Sequence, residues 1–129
     1  MIIKHLTALD TKAAADGTWT WVGNWSAMSV HIVGLEGDVW VEVSNDPAAD
    51  PARYASPPTV PEGCDITGNL AGSSPPFPPE GKSINVSYSR DGTQAMVSPS
   101  ALVWKWLRVC KSGGGSVETV AYLMGQIDA

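Results

Sequence analysis

Two histidines, His5 and His31, and two cysteines, Cys64 and Cys110, are the side chains in this sequence best suited to act as base, nucleophile or metal ligand. The histidines stand far apart. Neither has a second imidazole at the HxH or HxxxH spacing that would place both on one zinc ion, and no CxxC accompanies them. His31 falls on the outward face of an alternating segment and reads as a surface residue. No GxSxG-like elbow or other nucleophile context is present. Cys110 ends an apolar run, as a buried thiol does. Two cysteines fall short of a disulfide framework, although a Cys64–Cys110 pair stays open. Asp46 and Asp50 lie near Ser44-Asn45-Asp46-Pro47, but the order of an EF-hand is missing, and the run suits a turn that ends a strand. The glycines 113–115 lack the Lys-Thr and helix start of a phosphate loop. These patterns assign no catalytic, cofactor or metal residue, and they argue against an enzyme.

The remaining candidates are the tryptophans Trp19, Trp21, Trp25, Trp40, Trp104 and Trp106. Trp19 and Trp21 share a strand face, as do Trp104 and Trp106, because side chains alternate along a strand. Trp40, Trp104 and Trp106 stand opposite faces rich in Val and Leu, so both sides of those strands are apolar. One side must be core. The other is covered by the chain itself, anchors a partner protein, or offers a platform for sugar rings.

The elements that position these residues read as strands. Residues 2–9, 18–22, 26–33, 38–45, 84–89, 95–97, 103–110 and 117–124 carry branched or aromatic side chains, most with a period of two. Gly34 to Gly37 reads as a hairpin connection, Arg90 to Thr93 as a turn, and Lys111 to Ser116 as a flexible hairpin tip. Residues 11–15 give at most one helical turn. About eight short strands with Gly and Pro turns predict one all-β domain over 1–129, a two-sheet sandwich of jelly-roll-like or immunoglobulin-like type.

Residues 46–82 break the pattern. Nine of the ten prolines fall between Pro47 and Pro79, and proline cannot donate to a sheet ladder. The stretch reads as a long Pro/Gly-rich arm, with Pro57, Pro58, Pro75, Pro76, Phe77, Pro78 and Pro79 as contact residues. Pre-set φ angles lower the entropy lost on docking. Ile2, Ile3 and Trp40 complete the expected protein interface.

Composition narrows the partners. Among 129 residues only 16% are charged and 43% are hydrophobic, with eight Lys and Arg against thirteen Asp and Glu, a net charge of −5. A neutral surface suits protein contacts, because fewer charges are desolvated on docking. The scattered basic residues form no patch for nucleic acid. No apolar run approaches the roughly 18 residues that span a bilayer, and Met1 to His5 lacks the features of a secretory signal.

Three stretches carry a resemblance: Gly17 to Trp25 (GTWTWVGNW), Val30 to Leu35 (VHIVGL) and Val39 to Asp46 (VWVEVSND). Trp104 to Val109 (WKWLRV), Gly113 to Val117 (GGGSV) and Ala121 to Gly125 (AYLMG) extend it. Together they resemble small β-sandwich structural proteins of tailed bacteriophages, in particular the head decoration (cement) proteins. The likeness spans 17–46 and 84–126 and leaves out the proline arm. It implies a homodimer or homotrimer seated on the outside of a virion, made in the host cytoplasm. Its partner would be the major capsid protein or another virion protein, its work the reinforcement of capsomer junctions, and it would use no cofactor. The alternative is a tail or fibre module that binds host glycans or a receptor through exposed tryptophan.

Overall fold

The computed structural model describes residues 1–46, 63–72, 86–99 and 102–127. The candidates Pro57, Pro58, Pro75, Pro76, Phe77, Pro78 and Pro79 lie outside the described residues. Among the described residues there are ten strands and no helix. They are β1 (Ile2–Thr11), β2 (Ala15–Asp16), β3 (Thr20–Trp21), β4 (Ala27–Val33), β5 (Asp38–Ser44), β6 (Cys64–Asp65), β7 (Val86–Asp91), β8 (Gln94–Pro99), β9 (Trp106–Ser112) and β10 (Thr119–Ile127).

Two antiparallel sheets form a sandwich. The first has the order β1-β10-β4-β8-β7; the second runs β2-β9-β5-β6, with β3 also paired to β9. Alternation decides which side chains face inward. Met28, Val30 and Ile32 of β4, Ala95 and Val97 of β8, and Ala121 and Leu123 of β10 meet Val39, Val41 and Val43 of β5 and Leu107 and Val109 of β9. Each such Val, Leu or Ile contributes about 1.5–3 kcal/mol by leaving water. Trp25 is also buried, and its ring lies so close to Gly125 that a Cβ there would fall 2.2 Å from a ring carbon.

The strand boundaries differ from the sequence reading in instructive ways. The 18–22 segment contributes only the two residues of β3, because the chain there passes along the edge of β9, pairing at β2 and again at β3. Both expected hairpins are instead crossovers between sheets. Gly34 to Gly37 leads from β4 in the first sheet to β5 in the second, and residues 113–118 lead from β9 back to β10. Buried Leu35 pins the first crossover, its N–H donating to Thr93 O at 2.9 Å. Gly34 has φ of 73°, and a Cβ there would meet Glu118 O at 2.0 Å, so only glycine fits. Glu36 then ties the crossovers together by accepting from the Gly115 and Ser116 amides. The Ser116 amide foremost, with those of Gly115 and Val117, holds its carboxyl below the usual carboxylate range. The tip expected to be loose is thus anchored. The turn expected at Arg90 to Thr93 does form a hairpin, joining β7 to β8 with Gly92 and Thr93 between paired Asp91 and Gln94.

The described middle of the proline-rich stretch, residues 63–72, belongs to the sandwich. Ile66, Thr67 and Leu70 are buried. Ile66 and Leu70 donate to Val41 O and Val39 O, while Thr67 Oγ1 and Asn69 Oδ1 accept from the Val41 and Val39 amides. This run therefore satisfies the free edge of β5.

Candidate protein-docking surface

The residues able to do chemistry are scattered. Cys110 is buried and Cys64 exposed, and both are free thiols. Burial, with the nearby Glu42 charge, pushes the Cys110 thiol up to about 12. The Asp46 amide donates to Ser44 Oγ at 2.8 Å, the strand-ending turn the sequence suggested.

The outer face of the second sheet carries most of the tryptophans, and the chain covers it itself. Cross-strand register sets Trp40 opposite Cys110, Glu42 opposite Arg108, and Ser44 opposite Trp106. Arg108 donates from Nε and Nη2 to Glu42 Oε1, at 3.0 and 2.8 Å. Trp40 Nε1 donates to Glu42 Oε2 at 2.7 Å. The Arg108 guanidinium lies 4.4 Å from the centre of the Trp19 ring, a cation–π contact, and 4.0 Å from Asp16. Trp21 meets Trp106 edge-on, with ring centres 5.1 Å apart. Trp40, one of the interface residues expected from sequence, is half-buried within this network. Trp21 is the one tryptophan among the described residues that remains largely exposed.

The outer face of the first sheet is different. Its rows follow from the register: Ile3 beside Gln126 and Ala27; His5 beside Met124 and Ser29; Thr7 beside Tyr122, His31 and Met96. Ile3, Met96, Tyr122 and Met124 are 46%, 39%, 48% and 47% exposed. The central three rows carry no formally charged side chain; Asp91 on β7 and Asp10 beyond the β1 bulge lie at the margins. A shallow depression of about 340 Å³ runs between β1, β10, β4 and β8, lined in part by His5, His31, Met96, Tyr122 and Met124. His31 Nε2 lies 2.9 Å from Gln94 Oε1, and its ring tilts against Tyr122 at 6.3 Å. The two histidines therefore line one hollow after all. Among the described residues no three His, Cys, Asp or Glu side chains converge as a metal site would require.

Of the interface residues picked from sequence, Ile3 lies on this face and Ile2 beside it on β1, both exposed. Met96, Tyr122 and Met124 were missed. Their signal was present in the alternation of β8 and β10, where the non-core positions carry large apolar residues in place of charges. Methionine adds adaptability, since its flexible thioether fits varied surfaces.

Compared with protein-family models, with curated proteins and with solved structures, the chain matches none.

Proposed function

We propose that this protein is a non-enzymatic docking subunit that lays the outer face of its first sheet on a neighbouring protein. Following the family resemblance, it is a virion decoration protein that grips the capsid exterior and reinforces capsomer junctions. One observation carries the docking: a contiguous uncharged face exposing Ile3, Met96, Tyr122 and Met124. Large exposed apolar patches mark interaction sites, and aromatic and methionine side chains are enriched where proteins meet. Because such a subunit binds the assembled shell and not its separated parts, it stabilises the shell by mass action.

The test is co-sedimentation with capsid particles stripped of this protein. Met124→Glu with Met96→Glu places two carboxylates on the face and should abolish binding while the protein stays folded. Val117→Glu, at an exposed apolar residue of the 113–118 crossover away from that face, should bind as the parent does. Full decoration by the double variant would remove the face from consideration. Failure of the parent chain to bind any particle would remove the virion role.

A further inference from the structure

Nearly every long edge among the described strands is closed. The outer edge of β5 is bonded by residues 65–70. The far edge of β9 is taken by β2, β3 and the Gly17 amide, which donates to Val109 O at 2.9 Å. β7 is short and ends in Arg90 and Asp91, and charge at an edge discourages strand addition. β1 is the exception. It runs ten residues at the border of its sheet with β10 on one side only. From Ile2 to Leu9 its one formally charged side chain is Lys4. It also exposes large apolar side chains on both faces, Ile3 on the outer face and Ile2 and Leu6 on the other. A strand that covers them well must be apolar on both faces too. β1 is itself such a strand.

We propose that β1 pairs with β1 of a second copy, antiparallel across a two-fold axis, joining two five-stranded sheets into one of ten. The register follows from three constraints. Side chains directly opposite each other lie on one face, so a two-fold that continues the outer face sets one residue against its own copy. Pairing about Lys4 would oppose two ammonium groups, which is unfavourable. Pairing about Leu6 would bring Ala8 opposite Lys4, where the register with β10 already shifts between Thr7 and Leu9. Pairing about Ile3 overlaps too little chain. Pairing about His5 keeps the longest run of straight strand, with Ile3 opposite Thr7 and Lys4 opposite Leu6, and reaches the bulge only at its last pair, Ile2 opposite Ala8. The Lys4 stem then lies along Leu6 while its ammonium reaches water. An isologous two-fold contact of this kind is the commonest oligomer symmetry.

Dimerisation and particle binding are read by different experiments, so failure of one leaves the other standing. Sedimentation equilibrium of the full chain should give twice the 13.6 kDa of the single chain. Leu6→Lys, at a residue already 38% exposed, should halve the mass with the fold intact. In a Cys64→Ser background, mild oxidation of His5→Cys should link two copies. Ile3→Cys alone should not link, but should do so when mixed with Thr7→Cys. A monomer at every concentration overturns the proposal. So does a dimer that survives Leu6→Lys, or one in which His5→Cys fails to cross-link.

Discussion

The sandwich has two outer faces, and they solve the same problem in opposite ways. Both belong to strands with apolar or aromatic residues on the side away from the core. On the second sheet, Trp40 donates to Glu42, Arg108 pairs with Glu42 and lies against the Trp19 ring, and Trp106 packs edge-on against Trp21. β9 is in consequence buried along six consecutive residues. On the first sheet, Tyr122, Met124 and Met96 stand open, with no ion pair among them and no described segment above them. Tryptophan in a sequence is thus a poor guide to which face stays open. An arginine or carboxylate on the same face can recruit the indoles inward, whereas methionine and tyrosine with no charge nearby have nothing of their own to fold onto.

The largest effect that could break this contrast is expected at Arg108. Arg108→Ala leaves the Glu42 carboxylate, whose side chain is 14% exposed, without its cation; losing one partner of a buried pair costs about 3 kcal/mol. Chemical denaturation should show this loss, while the folded fraction still binds particles. If Arg108→Ala proves neutral in stability, the covered face is not held by this pair.

Cys110 reports on the same cover. Its thiol has no exposed surface, so an alkylating reagent at pH 8 should modify Cys64 quickly and Cys110 only on unfolding. The sign of the pH effect follows from its raised pKa. The unfolded chain releases this proton from 9.0 upward and the folded chain only near 12, so the thiol's contribution to stability declines as pH rises across that window. Two thiols reacting at one rate would mean that the tryptophan layer opens readily.

A smaller loss, about 1 kcal/mol from the hydrogen bond, is expected for Trp40→Phe, which trades the indole for a phenyl ring and so deletes the N–H that donates to Glu42. On the open face the effect on stability should be smallest. Met124→Glu should shift the denaturation midpoint by no more than about 0.5 kcal/mol, since surface changes away from partners do little. Its consequence belongs to binding. A strongly destabilised Met124→Glu would show that this face is already covered, and the contrast would dissolve.

Much of the fold was legible in the chain. The alternation in 26–33, 38–45 and 103–110 set Val30 with Ile32, Val41 with Val43, and Leu107 with Val109 on shared faces, and all six are buried. The outcome for Cys110 was legible as well, because an apolar run closed by cysteine reads as buried. Less was legible of the connections. Gly34 to Gly37 and the triple-glycine tip have the composition of hairpin turns, and local composition cannot tell a return within one sheet from a step across to the other. That choice depends on which strands β4 and β5 find as neighbours, and β10, far along the chain, settles it. Buried Lys111 escaped notice for the same reason. Its ammonium donates to Lys12 O at 3.0 Å and Val117 O at 2.9 Å, two carbonyls that only the assembled crossovers bring together.

Periodicity alone determined that this chain builds strands with one committed apolar side, since a period of two is a local property of the backbone. It determined neither which second side would be covered nor which edge would stay open. Those depend on what lies across the sheet: Glu42 beside Arg108 on one face, and on the other Met124 and Tyr122 flanked by Ser29, His31 and Thr7. Long-range register makes these neighbours, and no window of sequence contains them.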